Sequence, residues 1–208
     1  MEEVNPTRTE LLNRRARIRL AQQGAELLRG KREALVREFL RELPRFNEAR
    51  EAMQKSLIRA KRALIRALSL DGPEAVASAA LASQRDIVVG LEERNIWGVR
   101  VADVTTSYHG RALSERRSTP FDTSARIDES AERFEEVLAE IVRVAPLDRK
   151  MRRLAEEIRK TSRRVNALEQ RLLPSLHEQV RFIRSTLDQR EREDVFRLKR
   201  LKKIHAGR

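Results

Sequence analysis

The chain has no cysteine, one tryptophan, one tyrosine and six phenylalanines, and only seven glycines and six prolines among 208 residues. Without cysteine there is neither a disulfide framework nor a thiolate metal site, which fits a reducing compartment. With aromatics at 4% and a mean hydropathy of -0.62, a thick globular core is not the expected outcome. No apolar run approaches the roughly 20 residues that cross a bilayer, and MEEVNPTRTE lacks the basic-then-apolar order of a signal peptide. The expected location is cytoplasmic.

What is abundant is charge. Asp, Glu, Lys and Arg make up 37% of the chain, against roughly 25% in ordinary domains, and with Gly and Pro scarce this is the composition of long helices wrapped on each other. The stretch 163–203, RRVNALEQRLLPSLHEQVRFIRSTLDQREREDVFRLKRLKK, is one such helix, charged outside and carrying an apolar seam. A second runs over 7–68. Thr7 and Glu10 have capping-box spacing behind Pro6. Steps of three and four from Leu11 then meet Ile18, Ala21, Ala25, Leu28, Leu35, Phe39, Phe46, Ala49, Met53, Ala60, Ala63 and Ala67, interrupted at Arg14, Arg32, Glu42 and Ser56. A continuous helix there would be about 90 Å long.

The later helix is expected over 128–206, with Asp128 as N-cap and a seam through Phe134, Val137, Ile141, Val144, Leu154, Ile158, Thr161, Val165, Leu168 and Leu172. A step of four to Leu176 and Val180 departs from the seven-residue repeat and should relax the supercoil there. Pro44, Pro146 and Pro174 fall inside the shafts and are expected to give mild kinks. Between the shafts, 69–127 holds four of the seven glycines and the lone Trp and Tyr. Gly72-Pro73 followed by EAVASAALA reads as a short helix, DIVVGLE and NIWGVRVADVTT as two short strands, and 107–122 as loop. The fold class is therefore mainly α, a long antiparallel two-helix coiled coil with a small αβ insert at the turn. Partner numbers should sum to roughly 200, placing Leu28 near Leu172 and Phe46 near Leu154, with both termini at the end away from the insert.

Catalytic chemistry is not legible. Gly24 and Gly30-Lys31 superficially suggest a phosphate loop, but five residues separate the glycines and no strand precedes them; mid-helix, they should instead admit a close helix neighbour. His109, His177 and His205 are scattered, and Glu191, Glu193 and Asp194 alternate with arginines as ion-pair formers do. No catalytic residue, cofactor or metal is expected. The 45 basic residues against 32 acidic ones concentrate at 14–19 and 196–203, clusters that the antiparallel arrangement would bring together. A whole end of one sign suggests an acidic partner. Nucleic acid or an anionic membrane fits by charge alone, yet no reading motif or aromatic stacking platform is present.

The opening NPTRTELLNRRARIRLAQQGAELLRGKREALVREF, together with the 163–203 motif and Trp97-Gly98, resembles the D subunit of the V/A-type rotary ATPases. Pro174 matches a proline of the family; Pro44, Pro146 and Gly30 depart from its pattern. The resemblance implies a non-catalytic central stalk, an axle coupling ATP synthesis or hydrolysis in the A/B ring to H+ or Na+ movement, peripheral to the membrane. It implies as partners the catalytic A and B subunits, the F subunit and the membrane rotor's coupling subunit, with no direct nucleotide, nucleic acid or lipid. On that basis Arg15, Ile18, Arg19, Arg190, Arg197, Lys199 and Arg200 are the candidate contacts to the A/B ring, where Ile18, Leu198 and Leu201 should lock the two helices. Ile87, Val89, Trp97, Val99 and Val101 are the candidates for the F or the coupling subunit, with Val88 among the apolar residues that so short an insert should cover incompletely. A secretion-ATPase stalk is the near alternative, and the αβ insert speaks against it.

Overall fold

The computed structural model describes residues 5–82, 89–104 and 124–206. In chain order these form α1 (Arg8–Asp71), α2 (Pro73–Ala82), β1 (Leu91–Ile96), β2 (Val99–Val104), α3 (Ala125–Ala167), a π-helical turn (Leu168–Leu172) and α4 (Leu173–Ala206). The fold is mainly α with a small αβ insert. Two compact units divide it, Met1–Glu33 with Ile158–Arg208, and Ala34–Glu157.

Helix α1 starts where its cap dictates: the Glu10 backbone N–H donates to Thr7 Oγ1 at 3.2 Å. Only half of the capping box forms, because the Thr7 N–H is taken by the Asn5 carbonyl and the Glu10 carboxylate turns to Arg14. The helix runs without a break through Pro44 to Asp71. There Gly72, at φ 82°, supplies the left-handed residue that ends it, and Pro73 opens α2, where its missing N–H costs nothing.

In the first unit, Arg8 pairs with Glu191, Arg14 with Gln179, and Arg29 with Glu169, while Arg190 donates to the Pro6 carbonyl. Partner numbers fall as their opposites rise, so α1 and α4 run antiparallel, and each pair adds to roughly 190–200, as the two seams require. Ile18, Ala21 and Ala25 are buried with Thr161, Val165, Leu176 and Ile183. Leu172 is not: the Leu173 N–H reaches back five residues to the Leu168 carbonyl, and this wider turn rotates Leu172 outward. The turn sits directly before Pro174, which has no N–H to give an α-helical bond. The expected departure from the heptad is thus a π turn.

In the second unit, Leu35, Ala49, Ala60, Ala63 and Ala67 are buried together with Ile127, Val137, Val144, Met151 and Leu154 of α3. Ile141, expected in this seam, is exposed. The start of α3 is capped by Ser124 and not by Asp128, which lies inside the first turn: the Arg126 N–H donates to Ser124 Oγ at 3.2 Å. Ser124 Oγ in turn donates to Asp71, and Arg126 grips the same carboxylate through Nε and a terminal nitrogen at 3.2 and 2.8 Å, so the end of α1 and the start of α3 are fastened by one side chain.

The strands pair antiparallel with Ile96 opposite Val99. Trp97-Gly98, expected within a strand, is the two-residue turn, with φ 52° and 81°. Both central residues are left-handed, the geometry whose twist suits a tight hairpin, and the Gly98 N–H is held by Asn95 Oδ1 at 2.8 Å. The first strand accordingly begins at Leu91; of DIVVGLE, 86–88 lie outside the described residues and Val89 and Gly90 precede the strand.

Candidate functional site

The basic candidates on the first unit divide by depth. Arg15 and Arg19 are exposed, whereas Ile18 between them is buried in the seam. Arg14, from the same cluster, is not a free surface charge: it binds Glu10 at 2.6 Å and Gln179 at 2.8 Å. The Arg14 hydrogen bond holds the Glu10 carboxyl below its ordinary value.

The two basic clusters do not meet. Arg14 lies level with Gln179, and Pro6 with Arg190, so 196–203 runs on past the start of α1. Every described side chain from Glu191 to Lys202 is exposed, Leu198 at 65% and Leu201 at 53% included. The expected lock of Ile18 with Leu198 and Leu201 therefore does not form; Ile18 is held among the level of Leu176 and Ile183. Arg190 is tied to the Pro6 carbonyl at 3.3 Å, and Arg197, Lys199 and Arg200 stand on the projecting end.

The second candidate surface is the hairpin. Trp97 at its tip is 61% exposed and Val89 is exposed, but Val99 and Val101 are buried, as the alternation along β2 dictates. Ile87 and Val88 lie outside the described residues. Between the hairpin and the helix pair opens a cleft of about 750 Å³, lined by Glu42, Arg45, Ala49, Arg94, Val101, Glu140, Arg143 and Lys150 among others. The hairpin therefore lies along the flanks of α1 and α3. Lys150 sits between Glu38 and Glu42 at 3.4 and 3.0 Å, all three largely shielded from water. Sequence reading flagged Glu42 as a break in the seam but found neither its cation nor Glu38.

At the far end of this unit the bonds from Arg126, and then Ser124, hold the Asp71 carboxyl below its ordinary range, and the same contact raises the Arg126 guanidinium. The glycine expectation is overturned: a Cβ added at Gly24 or Gly30 would meet nothing within 4 Å, so neither admits a close helix neighbour in this chain.

The profile of the ATP synthase D-subunit family matches residues 10–203. The chain belongs to that family. Among relatives, it is 44% identical over 207 residues to the V-type ATP synthase D subunit of Thermus thermophilus, covering 99% of this chain and 91% of that one. It is 40% identical over 205 residues to the A-type ATP synthase D subunit of Thermococcus kodakarensis, with 99% and 96% covered, and 39% identical over 201 residues to that of Haloarcula marismortui, with 97% and 87% covered.

Membership in the ATP synthase D-subunit family makes the chain one component among other ATPase subunits. Among the described residues no group of three or more His, Cys, Asp or Glu could hold a metal, and no helix is long and apolar enough to cross a membrane.

Proposed function

We infer that this chain is the central stalk of a rotary V/A-type ATPase, a non-catalytic axle that links ATP turnover in a ring of A and B subunits to H+ or Na+ movement through a membrane rotor. The observation that carries the reading is the D-subunit family match over 10–203, which takes in both paired helices and the hairpin between them. A nucleic-acid or membrane reading is left with net charge alone.

In this reading the 7–68 and 128–206 helices are the shaft and 69–127 is the partner-binding insert, all on the cytoplasmic side of the membrane. The paired start of α1 and body of α4, with the projecting end of α4, turn inside the ring; Arg15, Arg19, Arg190, Arg197, Lys199 and Arg200 make changing, solvated contacts there, and Ile18 acts from the seam by keeping the helices together. Trp97 and Val89, with Ile87, face the F subunit or the coupling subunit, while Val99 and Val101 anchor the hairpin from within. An axle that presents different side chains to three sites shifts the equilibrium of each differently, and only such differential contact moves a conformational equilibrium.

The test is reconstitution with cognate A, B and F subunits, measuring ATP hydrolysis and ion pumping together. Truncation after Asp194 should reduce ions moved per ATP. Unaltered pumping per ATP and unaltered ring assembly in the truncated chain would remove torque transmission from this end of the helices.

A further inference from the structure

Two prolines interrupt the helices of the second unit at one height. Pro44 lies inside α1 and Pro146 inside α3, and the pairing of Lys150 with Glu42 and Glu38 across the two helices sets Pro146 level with residues 42–46. Neither ring has an N–H to give, so the carbonyls of Leu40 and Val142 lack their α-helical donors. One weak turn is splinted by an intact helix beside it; here both ladders lack a bond within about one turn of each other.

The packing thins at the same height. Between Leu35 and Ala49 the only buried residue of α1 is Glu38, and between Val144 and Met151 α3 buries none. Farther along α1 a buried side chain returns at Ala49, Ser56, Ala60, Ala63 and Ala67. On one flank the cleft of about 750 Å³, lined here by Arg45, Pro146 and Leu147, leaves the pair without a packed neighbour. A missing bond in each ladder, a gap in the seam and open space alongside together lower the local resistance to opening and bending. Against them stands Lys150, held by Glu42 at 3.0 Å and by Glu38 at 3.4 Å.

We propose that this level is a joint of the helix pair and that the Lys150 cluster is its catch. Closed, the ion pairs tie α1 to α3 beside the two prolines; released, opening and bending are confined to residues 40–48 of α1 and 142–150 of α3. Charge suits a catch better than leucines would. A close ion pair holds only over a narrow range of distance and angle, so it has a distinct released state, whereas apolar side chains slide over one another without one. The joint belongs to the chain by itself and stands whether or not the stalk function inferred above does.

The experiment is hydrogen exchange of the isolated full chain, followed by mass spectrometry. Lys150→Met keeps the length of the side chain and removes its charge; it should speed exchange in 40–48 and 142–150 at least tenfold and leave 56–67 within threefold of the parent. Adding Pro44→Ala and Pro146→Ala to Lys150→Met restores both ladders and should bring the fast segments back to within threefold of the parent. Unchanged exchange in Lys150→Met would overturn the catch. Acceleration spread evenly over α1 and α3, or acceleration that survives removal of both prolines, would overturn the joint. Should Lys150→Met lose its helix content by circular dichroism, Glu42→Gln, which removes one partner and keeps its size, carries the same test: a local acceleration of at least threefold is expected, and none would overturn the proposal.

Discussion

Lys150 neutralises two carboxylates at once, and none of the three groups has full access to water. Removing a partner from a shielded ion pair costs more than the pair contributes, because a remaining charge is left desolvated: without Lys150, Glu42 would lose its cation, while Glu38 would keep its pairing with Arg41. Lys150→Ala should therefore lower the stability of the isolated chain by about 3 kcal/mol in urea unfolding, and Glu38→Leu with Glu42→Leu in the same background should restore most of it. Asp71 is a different case, since its carboxyl is held below the ordinary value by Arg126 and Ser124. A depressed folded value means a contribution that is fully present above the unfolded carboxylate range and disappears as pH falls through the folded value. The urea midpoints of Asp71→Asn and the parent chain should consequently differ near neutral pH and converge on acidification below about pH 4.

At the scale of elements, glycines report what the helices tolerate. Gly24 and Gly30 lie mid-helix with open space around a virtual Cβ, so alanine at either should stabilise by about 0.5–1 kcal/mol through the chain entropy of the unfolded state. Gly72 has the same open space but a φ of 82°, and Gly72→Ala should destabilise by about 1 kcal/mol; thermal unfolding of the three variants gives the sign directly. These outcomes also mark where the sequence is a sufficient guide. The Thr7 cap, the alanine seam of α1 and the antiparallel register were legible because each is a local pattern repeated in one helix and answered in another. The Trp97-Gly98 turn was not, because an aromatic residue favours strands and left-handed backbone is the habit of Asn or Gly. Ser124 and Asp128 are not separable as caps by sequence, because an acid beside a first turn carries the same local signal; the Arg126 N–H bond to Ser124 Oγ and the grip on Asp71 separate them. Leu172 looked like seam because nothing in residue type distinguishes a π turn from an α turn.

For the whole molecule, the apolar steps Val195, Leu198 and Leu201 continue at seam spacing beyond the point where α1 begins, which is why the sequence suggested a lock that the stagger prevents. Truncation after Asp194 should therefore leave the urea midpoint of the isolated chain unchanged, because every described side chain from Val195 to Lys202 is already exposed, and its effect should appear only in the complex. The single Trp supplies a reporter for the other surface. Trp97 is 61% exposed at the tip of the hairpin, so its emission should shift to the blue when the F subunit or the coupling subunit covers it. No shift at saturating concentration of either would move the contact off the hairpin.

The π turn at Leu168–Leu172 has a bearing on insertions and deletions. It holds about one residue more than an α-helical turn while completing the same rotation, so the phase of Leu176 and Ile183 downstream does not depend on that extra residue being there. Deleting Gln170 should convert the segment towards α-helix and keep both side chains in the seam, whereas deleting Ser162 would rotate everything after it by about 100° and carry Val165, Leu176 and Ile183 out of the core together. The shaft has one place where its length can drift by a residue without its register drifting too.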